Sequence, residues 1–256
     1  MDLYPLDLIL AVATASATIF LGFLPTKDIA PAFFARETGK ALMAWIVVAL
    51  LSPPAIFHYP LFFAFFCFAA WWHFRRDNAL TGKMWLSIAS GLGISVGVMF
   101  ILAVSPRAYP PGLPPLPETL LLASIYLGGA VIGLAYVCVA LVLSTKVNSG
   151  VTQVIVRRYV GLLCYLTIAR AAVFLLEVLQ SPSTYKEHSF GVNAEFATST
   201  LHHGPLLILP LLLLVILSFR AQSAVGFSSR VQPTRSLIAI LVLGLLAEFY
   251  ARILVL

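Results

Sequence analysis

The chain has 256 residues, 61% of them apolar and only 10% charged, with a mean hydropathy of +0.98; soluble domains carry roughly a quarter charged residues, so composition excludes an ordinary water-soluble fold. A formal charge of +6 would suit a polyanion, yet the cations come in small groups between apolar runs rather than along one stripe, which argues against a nucleic-acid partner. Cys67, Cys138 and Cys164 lie inside apolar runs without C-x-x-C or metal-type spacing, read as small buried hydrophobes, and leave no metal site in view.

The sequence predicts a single integral membrane domain over residues 1–256, an all-α polytopic transmembrane helix bundle of about eight helices. Apolar runs fall at about 6–24, 38–52, 55–74, 84–104, 118–143, 159–180, 204–219 and 236–256, most of them long enough to cross roughly 30 Å of hydrocarbon at 1.5 Å per residue. The chain opens Met1-Asp2-Leu3-Tyr4-Pro5 without the cations of a cleavable signal peptide, so the first helix is expected to stay. The second run is the weak one, because Lys40 leaves a short uncharged stretch before Ser52-Pro53-Pro54, and it spans only if Lys40 snorkels. Between the fourth and fifth runs, residues 105–117 hold five prolines from Pro110 onward and read as a stiff extended strap. Residues 181–201 form a long polar connection with Lys186, Glu187, His188, Asn193 and Glu195, read as a cap, a docking surface or a plain loop.

Charge placement supplies a second count. Lys27, Arg36 and Lys40 lie between the first and second runs, Arg75, Arg76 and Lys83 between the third and fourth, Lys146, Arg157 and Arg158 between the fifth and sixth, and Arg220, Arg230 and Arg235 between the last two. Every second connection is basic, while the opposite ones hold only Arg107 and Lys186. Short cytoplasmic loops collect Lys and Arg, so the alternation supports eight spans in a cell (inner) membrane with both termini on the non-cytoplasmic side. Gly93-x-x-x-Gly97 and Gly129-x-x-x-Gly133 offer flat packing faces. Helices one plus two also resemble helices five plus six, each pair having a Lys-bearing inner connection and a glycine early in its second helix (Gly39, Gly161). A four-plus-four duplication with halves 1–105 and 117–256 is one reading of that likeness.

Ionisable groups inside a bilayer cost about 2.5 to 3.5 kcal/mol each on insertion scales and mark the first place to look for function. Counted outward from the inner surface, Arg170 sits roughly 16 Å and Glu177 roughly 27 Å along helix six, Glu248 roughly 20 Å and Arg252 roughly 26 Å along helix eight. Glu248 and Arg252 share a helix face, and Arg170 and Glu248 are placed to pair between helices. The bland reading is that these ions neutralise one another and fix packing. The functional reading gains weight from Asp7, His58, Glu118 and the pair His202 and His203, which all map to the outer half. Together they describe a polar basin able to hydrogen-bond a quinol head group and pass its protons to water. A b-type haem between His58 and His202 or His203 is the competing use of the imidazoles; it is disfavoured because both sites lie at helix ends beside prolines.

Several enzyme signatures are absent: H-E-x-x-H, G-x-S-x-G and G-x-x-x-x-G-K-[ST]. A self-contained hydrolase or transferase is therefore disfavoured, and the last helix has no Lys for a retinal Schiff base. In topology, and in Glu248-Phe249-Tyr250-Ala251-Arg252 beside Arg170 and Glu177, the chain resembles the membrane anchor subunits of polysulfide reductase and dimethyl sulfoxide reductase type complexes. That resemblance implies a quinol-binding, electron-linked subunit, without haem in most members, docked to an iron-sulfur partner on the outer face. A small-solute transporter or channel is the alternative, with Pro210 the best candidate for a broken helix. A structural or assembly subunit is the third reading.

Overall fold

The computed structural model describes residues 4–52, 57–108, 115–145, 153–188, 194–225 and 231–255. Among these residues all regular structure is helical: α1 (Tyr4–Phe23), α2 (Pro31–Leu51), α3 (His58–Arg75), α4 (Ala79–Ala108), α5 (Pro115–Thr145), α6 (Gln153–His188), α7 (Ala194–Val225) and α8 (Val231–Val255). Leu122–Ser144, Gln153–Leu176 and Ile208–Val225, of 23, 24 and 18 residues, are long and apolar enough to cross a membrane, and Leu8–Phe23 is a shorter apolar helix. Outward-facing side chains such as Leu50, Phe62, Phe65, Tyr165, Leu209 and Ile216 are exposed and apolar, a surface compatible with lipid contact.

Helix ends follow local chemistry. Pro31 opens α2, where its missing N–H costs nothing, and Ser52 closes it with its N–H on the Val48 carbonyl, just ahead of Pro53. Between α3 and α4 the chain turns through Asp77 in the left-handed region (φ 56°), the usual helix-ending conformation. The Asn78 side chain then accepts the Thr81 N–H at 3.3 Å, capping α4.

Three departures from the sequence reading concern helix length. α2 begins seven residues before the predicted 38, so Arg36 and Glu37 are helical rather than loop residues. The polar 181–201 stretch is largely helical, because α6 runs on to His188 and α7 starts at Ala194; local hydropathy marks where a helix leaves an apolar layer, not where its hydrogen-bond ladder ends. The strap likewise loses its ends to α4 and α5, and residues 109–114 lie outside the described ones.

The helices pack as two groups of four. α1 touches α2 and α4, and α3 joins those two; α5 touches α6 and α8, and α7 joins those two. The groups meet chiefly along α1 and α5. α1 can sit at this junction because its middle, Ala11 to Thr18, is almost all small residues, buried on every side. Close approach of backbones is how helices associate where apolar side chains gain nothing by leaving lipid. Gly129 lies against Val12, and a Cβ at Gly133 would stand 2.6 Å from the Ala17 backbone nitrogen. Gly93 of α4 packs on Ala15 from the other side. Polar ties cross the junction at one end: the Tyr159 hydroxyl donates to the Phe20 carbonyl at 3.1 Å, and the Tyr136 hydroxyl donates to Glu37 Oε2 at 2.5 Å.

Candidate functional site

The polar centre of the second helix group lies on its long axis. α6 and α8 face each other across that group, each flanked by α5 and α7. Arg170 Nε donates to Glu248 Oε1 at 2.6 Å, with side-chain exposures of 3% and 6%. Gly128 of α5 supplies the space: a Cβ there would overlap the Glu248 carboxyl. Gly244, one turn before Glu248, lines the same small cavity together with Val131, Thr167, Leu211 and Leu214. Its volume is about 10 Å³, room for about one water. Phe174 lies 5.9 Å from the Arg170 guanidinium and adds a cation–π face one turn further along α6.

One turn the other way, Thr167 Oγ1 meets Ser218 Oγ of α7 at 3.0 Å, both buried. Each hydroxyl also lies within donating distance of a carbonyl of its own helix, Cys164 and Val215 respectively, so one of the two donates across to its neighbour and the other donates to its own helix. Two ions and two hydroxyls thus occupy adjacent turns at the centre of a shell of Leu, Val and Phe. Ion pairs at such low exposure hold only when geometry is close and partners are complete, because desolvation opposes them strongly.

The other predicted residues are placed only in part. Glu177 lies two turns beyond Arg170 on α6 and Arg252 one turn beyond Glu248 on α8, while His202 and His203 stand on α7; their side chains lie outside the described ones, as do those of Asp7 and Glu118. His58 begins α3 and is exposed, with its ring 4.2 Å from that of Tyr59. α3 belongs to the first helix group and α7 to the second. Among the described residues no three metal-ligating side chains converge. α7 is continuous through Pro205 and Pro210, so the midplane break that a transporter reading wants at Pro210 is not there.

A second polar cluster was not legible in the sequence. Glu37 is fully buried on α2 and accepts from Arg36 Nε at 2.6 Å, from Lys40 Nζ at 3.2 Å and from the Tyr136 hydroxyl of α5. Arg36 Nη2 donates on to Ser144 Oγ of α5 at 2.7 Å. Lys40 therefore ends in an ion pair, where snorkelling alone was expected. Nearby, the Lys83 ammonium donates to the Leu24 carbonyl at 2.5 Å over the Phe34 ring, and burial pushes it down to about 8. The only signal for Glu37 was a carboxylate between two cations, Arg36 and Lys40, a pattern that usually means a solvated face.

The chain matches no protein-family model, no curated protein and no solved structure.

Proposed function

We propose that the chain is an eight-span membrane protein, a duplicated four-helix unit with both termini outside an inner membrane, acting as the quinol-binding subunit of a redox complex. The observation that carries this reading is the Arg170–Glu248 pair on the axis of the second helix group, a position where helix bundles place their functional groups. Three described helix segments long enough to cross support placement in a membrane, and the alternation of basic connections is the ground for the span count. The repeated pattern of contacts, α1 with α2 and α4, α5 with α6 and α8, supports the duplication. The two halves differ at their centres: Trp45, Phe63, Ala64 and Cys67 fill the first with apolar bulk, whereas the second holds the ions.

The cavity beside the pair admits a water and no ring, so the quinol head group is placed outward of it, toward Glu177 and Arg252, with His202 or His203 at the mouth. Oxidation of quinol to quinone releases two protons and two electrons: the carboxylate of Glu248 would take one proton, water at the outer surface the other, and an iron-sulfur partner subunit would be the two-electron oxidant. Glu248→Gln is expected to abolish quinol-dependent reduction of the partner, measured per molecule of chain retained in the membrane. Unchanged turnover in that variant overturns the quinol role.

A second reading has its own observation, since a 2.6 Å pair with space for one water also suits a packing lock in a structural or assembly subunit. Glu248→Gln then lowers accumulation of the chain without altering turnover per molecule.

A further inference from the structure

The outward face of α2 carries one continuous stripe at helical spacing, Arg36, Lys40, Met43, Val47 and Leu50, all exposed. Its two cations stand at one end with side-chain exposures of 46% and 55%; the three apolar residues continue along the helix for roughly 15 Å from Lys40 to Leu50, with exposures of 61%, 44% and 80%.

The cationic end is a built site rather than a loose pair of long side chains. Glu37 lies beneath both cations and holds each by an ion pair. Ser144 of α5 fixes the guanidinium from the side, and Tyr136 of α5 fixes Glu37. Two cations over one carboxylate leave one net positive charge facing outward, already ordered, so a ligand anion pays little entropy to meet it. An ordered cation pair followed by an exposed apolar track matches an amphiphile with an anionic head and long chains. Cations between helices on the inner side of a membrane are where anionic head groups bind.

We infer that this stripe seats one anionic phospholipid of the inner leaflet, its phosphate on Arg36 and Lys40 and its chains along Met43, Val47 and Leu50, beside the junction of the two helix groups. The inference rests on the eight-span reading, which puts Arg36 and Lys40 at the inner surface.

The test uses the full-length protein in nanodiscs of phosphatidylcholine doped with phosphatidylglycerol, and measures the ratio of the two lipids that stay bound after mild detergent extraction. Arg36→Gln/Glu37→Gln/Lys40→Gln removes both cations without stranding a buried carboxylate, and is expected to lower the phosphatidylglycerol preference at least about fivefold, the weight of one net charge at a membrane surface. Arg157→Gln/Arg158→Gln, which removes two exposed cations from α6, should leave the preference in place. Arg36→Lys/Lys40→Arg keeps the charges and should keep the preference. Equal losses in the first two variants, or no loss in the first, overturn the site. Displacement of the lipid by millimolar glycerol phosphate shows a soluble phosphate as the occupant and overturns the lipid assignment. Failure of the wild-type chain to enter the discs overturns the membrane reading itself, which separates the two failures.

Discussion

Two charges packed 2.6 Å apart at under a tenth exposure make each the condition for the other. Removing one partner strands a buried ion, which costs about 3–5 kcal/mol, whereas removing both in favour of apolar groups of similar volume is often neutral. Arg170→Met is therefore expected to lower resistance to thermal unfolding in mild detergent by that amount, and Arg170→Met/Glu248→Leu to recover most of it. If the double variant is as unstable as the single one, the ions are held by other groups and the pair is not the centre of the site. These two residues were legible in the sequence because ions are scarce in long apolar runs and helical rise puts both at similar depth. Glu37 was not: it sits among Arg36 and Lys40 in a stretch that reads as a basic connection, and its burial depends on Tyr136 and Ser144, about a hundred residues away.

At the level of elements, the contact between α1 and α5 depends on missing side chains. A methyl at Gly133 meets the α1 backbone itself, at Ala17 N and at Ala13 O, so neither rotamer change nor side-chain yielding relieves it. Gly91, by contrast, faces open space. Gly133→Ala is expected to destabilise by about 1–3 kcal/mol through overpacking, while Gly91→Ala is neutral or gains up to about 1 kcal/mol in helix propensity. Thermal unfolding of the two variants side by side checks this, and equal behaviour would mean that the helices do not meet there. The glycine spacing was visible in the sequence as a packing face, but which helix it packs on was not. Only the small-residue run of α1, buried on all sides, names the partner.

For the molecule as a whole, the eight-span reading rests on the odd-even sorting of cations, and the two fourfold groups of contacts are consistent with it. Single cysteines introduced at Lys27 and Arg76 are expected to react with a membrane-impermeant thiol reagent from the same, inner side; the native Cys67, Cys138 and Cys164 are buried and add little background. Labelling from opposite sides removes the eight-span reading, the quinol basin and the lipid seat together. What the sequence by itself determined is the apolar, all-helical character, the approximate place of each helix and the position of its rare ions along those helices, since hydropathy, period and rise are local properties. What only the tertiary structure decided is adjacency. Helix hydrogen bonds close within four residues and carry no information about neighbours, so it took packing to set α1 against α5, to bring Arg170 across the bundle to Glu248, and to bury Glu37 under a tyrosine from the other half.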